Sequence, residues 1–120
     1  MDDKPAIATV HSFPLSEKAA WEIIRRLSSE DKGGVKISQH AKQRMIERQV
    51  SIVQVLNVMK RNSSRMNEGP YQAANGDWKC EIEGSAAGAV IKLALAIRTS
   101  APLEAVIVIT VITDRNVKAG

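Results

Sequence analysis

An α+β domain is predicted by three features of this chain. Helical apolar periodicity is confined to the first half, two-residue alternation fills the second, and turn signals separate the alternating runs. Helices first and neighbouring strands afterwards give about three N-terminal helices packed on one face of a roughly four-stranded antiparallel meander. A length of 120 residues suits one domain with one core, and no linker divides the chain. The expected organisation is an extended arm over residues 1–14, a single domain over 15–115 and a tail over 116–120.

From Leu15 the pattern turns helical. Ala20, Trp21, Ile23, Ile24 and Leu27 form one face, Lys18, Glu22, Arg25 and Arg26 the other, and Ser16 stands at the N-cap position. The segment SSEDKGG, 28–34, stops this helix with polar residues and paired glycines. A short extended piece over 35–38 leads to a second helix carrying HAKQRMIER, whose apolar side is Ala41, Met45 and Ile46. Ser51 caps a third helix in which Ile52, Val55, Leu56 and Met59 recur at helical spacing.

The period then changes to two. Residues 66–74 read as a short strand in which Pro70 marks an edge or bulge, and Asn75-Gly76 signals a tight turn into DWKCEIE. There Trp78, Cys80 and Ile82 share a buried face while Asp77, Lys79, Glu81 and Glu83 are expected to face water. After GSAAG, Ile91, Leu93, Leu95 and Ile97 form the core side of the next strand, opposite Lys92, Ala94, Ala96 and Arg98. The run from Ala105 to Thr113 is apolar on both sides, as a central strand requires.

Composition narrows the chemistry. Seventeen Lys and Arg against 13 Asp and Glu give a formal charge of +4, compatible with an anionic partner. The four aromatic residues, Phe13, Trp21, Tyr71 and Trp78, are dispersed, so no stacking platform for single-stranded nucleic acid can be read from the pattern. Cys80 is the only cysteine, which excludes an internal disulfide and makes the cytoplasm the expected setting. His11 and His40 have no metal-ligand spacing, so neither a metal nor a cofactor is expected. The start of the chain lacks a basic region followed by an apolar run, and the stretch from Gly88 onward is broken by Lys92 and Arg98, so neither a secretory signal nor a membrane span is expected.

The stretch 40–48 concentrates the reactive side chains. On a helix, His40, Arg44 and Glu47 fall on one stripe with Arg48 at its margin. With Ser38 as N-cap the imidazole stands in the first turn, where unpaired backbone N–H groups disfavour a second positive charge. A neutral His can accept a proton and an Arg can hold a phosphate, which is a minimal kit for RNA cleavage or phosphate recognition. His40, Arg44 and Glu47 are the catalytic candidates, and Arg48, Lys79, Lys92 and Arg98 the candidates for binding RNA phosphates. The plainer reading is that helix-borne charges and a strand's outer cations simply face solvent.

The segment SQHAKQRMIERQVSIVQVLNVM, followed by the strand meander ending in AVIVITVIT, resembles the domain of unknown function family DUF4258 over about residues 35–113. The sharpest element is His-Ala-x-x-Arg-Met-x-x-Arg, met by His40, Ala41, Arg44, Met45 and Arg48. That family is similar at a distance to the RelE/ParE and MqsR toxins, small α+β proteins that include messenger RNA endoribonucleases and gyrase inhibitors. The resemblance implies a toxin-like fold and a metal-independent RNA endonuclease of a toxin–antitoxin system, with RNA as substrate and an antitoxin as partner. The chain departs from RelE-type nucleases in having no Tyr, Phe or His after Trp78. The alternative reading is a non-enzymatic module of the same fold that binds nucleic acid or protein.

Overall fold

The structure is a computed structural model that describes residues 14–30, 34–86, 88–99 and 104–113. Its elements follow one another as α1 (Glu17–Ser28), β1 (Val35–Ile37), α2 (Gln39–Arg48), α3 (Ile52–Lys60), β2 (Arg65–Gln72), β3 (Trp78–Ala86), β4 (Ala89–Arg98) and β5 (Ala105–Thr113). The predicted arm and tail fall outside the described residues, apart from Pro14. No helix among the described residues is long and apolar enough to cross a membrane.

The strands form one five-stranded mixed sheet in the order β1-β5-β4-β3-β2. The expectation of four antiparallel strands therefore needs correction at one edge. β1 pairs in parallel with β5, Val35 opposite Val106 and Ile37 opposite Val108. Three residues are too few to show a period, and their partner lies some seventy positions along the chain, so the pairing has no local signature. The other four strands do run as an antiparallel meander.

The predicted core faces meet as expected. Ile82 stands opposite Leu93, Cys80 opposite Leu95 and Trp78 opposite Ile97. Val106, Val108 and Val111 of β5 continue the same face. Against it pack Ile23, Ile24 and Leu27 from α1 and Val55, Val58 and Met59 from α3. Burial of such side chains stabilises the fold by roughly 1.5–3 kcal/mol each before entropy is counted. Arg25 lies over the Trp21 ring, 4.4 Å from its centroid, and donates to the Arg61 carbonyl, fastening α1 to the end of α3.

The caps are those the sequence indicates. Ser16, Ser38 and Ser51 each accept a backbone N–H of the first helical turn, and Ser51 with Gln54 completes a capping box. Gln49 in the left-handed region ends α2 and turns the chain through buried Val50 into α3. α2 lies against β5, and one side chain departs from its expected place: Ile46 is 79% exposed. With only ten residues leaning on a strand, α2 buries a narrow stripe centred on Ala41 and Met45.

Candidate functional site

α2 is anchored at its first turn. Ser38 Oγ accepts from the Ala41 N–H at 3.0 Å and donates to the Ile109 carbonyl at 3.0 Å, while the Ser38 N–H donates to Val108. The helix therefore starts at a bulge in β5, where the register against β4 slips between Ala94 and Leu95 and Ile109 becomes the extra residue. With this anchor, α2 divides into two flanks. Lys42, Met45 and Ile46 line an apolar groove, and His40, Arg44 and Glu47 occupy the flank opposite it.

On that flank the predicted stripe exists as a helix face, but its charges satisfy each other. Arg44 donates to Glu47 at 2.7 Å, and Glu47 also accepts from Gln43. His40 is exposed and makes no side-chain hydrogen bond among the described residues. Arg48 is half-buried and engaged within the fold. Among the described residues no hydrogen bond or ion pair joins His40, Arg44 or Glu47 to Lys79, Lys92 or Arg98.

The second charged surface is the face of the sheet that turns away from α1 and α3. Here Lys79 and Glu81 of β3 stand beside Tyr71 and Glu68 of the edge strand β2, because Tyr71 is opposite Lys79 and Glu68 opposite Glu81. These four side chains wall a cavity of about 200 Å³, with Ala94 among the lining residues from β4 and Ile109 from the β5 bulge. Four antiparallel strands thus contribute to one hollow. The small alanine leaves depth where a larger residue would fill it, and the bulge supplies the far wall. Tyr71 is 55% exposed, and neither its hydroxyl, the Lys79 ammonium nor the Glu68 carboxylate has a hydrogen-bond partner among the described residues.

Register explains how Tyr71 arrives there. Between the pairs Glu68–Glu81 and Tyr71–Lys79 the β2 strand uses one residue more than β3, and Gly69 sits in that step with φ 92°. A β-carbon on Gly69 would lie 2.5 Å from the Lys79 carbonyl oxygen, so the strands approach this closely only because the position is glycine.

The other predicted cations serve local pairs. Arg98 forks onto Asp77 with Nε–Oδ1 at 3.1 Å and Nη2–Oδ2 at 3.0 Å. Asp77, expected from the alternation to face water, is instead buried against Arg98. The Arg98 hydrogen bonds, helped by its charge and by Asn75, hold the Asp77 carboxyl below its usual range against the opposing effect of burial. Lys92 stands across from Glu83, whose carboxyl is held low first by the Asn67 hydrogen bond and then by Arg65 and Lys92. Lys92 and Arg98 are six residues apart on β4, roughly 20 Å at strand spacing, so they cannot grip one phosphate together. Cys80 is buried and desolvation pushes its thiol up to about 12, which removes it as a nucleophile near neutral pH. Among the described residues no group of three or more His, Cys, Asp or Glu is placed to hold a metal ion.

Comparison with known families gives one finding. The family model for a domain of unknown function, DUF4258, matches residues 37–113, from the end of β1 to the end of β5. The chain belongs to the DUF4258 family. No curated protein and no solved structure matched it.

The DUF4258 segment contains both charged surfaces and omits α1. Of the seven predicted site residues, the structure groups His40, Arg44 and Glu47 on one helix flank and leaves Lys79, Lys92 and Arg98 at separate places on the sheet. The companions of Lys79, namely Tyr71, Glu68 and Glu81, were missed by sequence reasoning. The usable signal was Gly69-Pro70, since an irregularity in an edge strand shifts which of its residues face a neighbour.

Proposed function

We propose that this DUF4258 domain is a toxin-like, metal-independent RNA endonuclease that receives single-stranded RNA on the open face of its sheet. One observation carries the reading: Lys79, without a hydrogen-bond partner among the described residues, shares a 200 Å³ hollow with Tyr71, Glu68 and Glu81. The Lys79 ammonium suits a phosphate oxygen, Tyr71 offers a ring for a base to stack on, and Glu68 supplies a carboxylate as general base. In this scheme Glu68 takes the proton of a ribose 2′-hydroxyl and the 2′ oxygen bonds to phosphorus. The bond to the 5′ oxygen breaks, that oxygen takes a proton from Lys79, and a 2′,3′-cyclic phosphate and a 5′-hydroxyl remain. The α+β architecture, with helices against one side of a mainly antiparallel sheet, is compatible with a distant RelE/ParE relationship. An antitoxin that silences the enzyme would cover the same face, and the cytoplasm is the setting that goes with such a substrate.

The experiment is incubation of the purified chain with varied RNAs in EDTA, with end analysis of the products. Cleavage to cyclic-phosphate ends is expected, lost in Lys79→Ala and Glu68→Gln and retained in His40→Ala. Loss in His40→Ala with retention in Lys79→Ala would move the chemistry to α2 and refute the sheet-face site.

A second reading, a non-enzymatic nucleic-acid-binding module, is favoured by the ion pairs Arg44–Glu47 at 2.7 Å and Arg98–Asp77 at 3.0 Å, which engage two candidate site cations with neighbouring carboxylates. It predicts intact RNA together with binding that weakens steeply as salt is raised.

A further inference from the structure

The apolar groove beside α2 belongs to neither charged surface. It consists of two adjoining hollows along the β1 edge of the sheet. The larger, about 490 Å³, is walled mainly by Met45, Ile46 and Val50 and carries Lys42 at its rim. The smaller, about 180 Å³, is walled by Leu27 and Leu56 and carries Glu30 at its rim. Ile37 and Ile52 line both, so the two hollows adjoin as one trough-like surface, with a cation in one hollow and a carboxylate in the other.

Two of the lining side chains, Ile46 and Ile52, are 79% and 44% exposed, large aliphatic surface that water disfavours. The side chains of Lys42 and Glu30 are exposed, and neither makes a hydrogen bond or ion pair among the described residues. The trough is thus mainly apolar, with Lys42 in one hollow and Glu30 in the other, neither of them paired among the described residues.

We infer that this trough is the interface of a two-fold dimer, in which a second copy of the chain lies across it in the reverse direction. Charge polarity selects that occupant. A two-fold axis at the Ile37–Ile52 midpoint reverses the trough, so Lys42 of each copy meets Glu30 of the other and both pairs form by the same operation. The same rotation sets the protruding Ile46 of each copy against the Leu27–Leu56 hollow of its partner, an apolar knob facing an apolar recess. A rim of one sign would call for a partner of opposite sign. Among the described lining residues there is one charge of each sign, one to each hollow, and such an arrangement is matched by its own reversal. The contact uses α2, α3 and the β1 edge, leaves the Lys79 hollow uncovered and does not depend on RNA chemistry.

Sedimentation equilibrium on the full chain tests this, with circular dichroism of each variant as the check on folding. The wild type is expected at twice the chain mass at about 100 µM. Ile46→Asp, at a side chain already in water, is expected to give folded monomer. Lys42→Glu and Glu30→Lys singly are each expected to weaken association about tenfold or more, by placing like charges at both ends. The double variant Glu30→Lys/Lys42→Glu restores opposite charges and is expected to recover the dimer. A wild-type monomer at about 100 µM overturns the inference, as does a dimer that survives Ile46→Asp. Failure of the double variant to associate better than folded single variants overturns the end-to-end pairing.

Discussion

Replacing Gly69 by Ala tests whether the close approach of β2 to β3 sets the register that brings Tyr71 to Lys79. The backbone at Gly69 has φ 92°, and a β-carbon there would stand 2.5 Å from the Lys79 carbonyl oxygen and 2.9 Å from Cys80 Cα and Cβ. Positive φ costs a residue with a β-carbon about 1–2 kcal/mol. The carbonyl and Cα belong to the neighbouring strand and cannot swing away like the end of a long side chain, so the strands must part. Each ladder hydrogen bond weakened in doing so costs about 0.5–1.5 kcal/mol. Together the loss is about 2–4 kcal/mol, a large fraction of the 5–15 kcal/mol typical of a domain. The matched control is Gly76→Ala, where φ is 95° and nothing lies within 4 Å of the added carbon, so only the backbone contribution applies. Urea denaturation of both variants measures the difference, and in a thermal melt Gly69→Ala should fall by roughly 6–20 °C. Equal losses at the two positions would refute the steric argument, and an unchanged Gly69→Ala would refute the register argument with it.

Three more outcomes follow from the same geometry. Leu93→Ala, at a fully buried side chain in the middle of β4, should lower unfolding stability by about 2–5 kcal/mol in urea titrations, and a loss below that range would mean that the centre of the sheet is not the core. The Asp77 carboxyl is held below its ordinary 3.8 by Arg98, so its contribution is complete above that value and disappears as pH falls through the lowered folded value. Asp77→Asn should therefore flatten the acid limb of stability against pH, Arg98→Met should return the Asp77 titration seen by NMR towards 3.8, and an unaltered limb would contradict the pairing. With its thiol buried and pushed up to about 12, Cys80 should resist thiol reagents at pH 8 in the native protein and react at once in denaturant.

Much of the fold is legible because its signals are local. Ala20, Ile23, Ile24 and Leu27 sit one helical turn apart and are all buried, and Cys80 and Ile82 alternate with half-exposed Lys79 and Glu81 as a one-sided strand must. The three serine caps read directly, since an N-cap needs only its own helix. The candidate site was less legible. His40, Arg44 and Glu47 share a helix flank as their spacing requires, yet spacing does not reveal that Arg44 and Glu47 face each other at 2.7 Å with, among the described residues, no cation of the sheet as a partner. Tyr71 looked like one dispersed aromatic until the register of β2 placed it opposite Lys79.

Sequence by itself determined the kinds of element, their order, their caps and which side of β3 and β4 is apolar, because these depend on side-chain period and on residues at most four positions apart. Tertiary structure alone decided the parallel pairing of β1 with β5, the bulge at Ile109, the exposure of Ile46 and the company Lys79 keeps. Each of these depends on which distant backbone lies alongside, and a shift of one residue in that pairing sends every side chain of a strand to the other face.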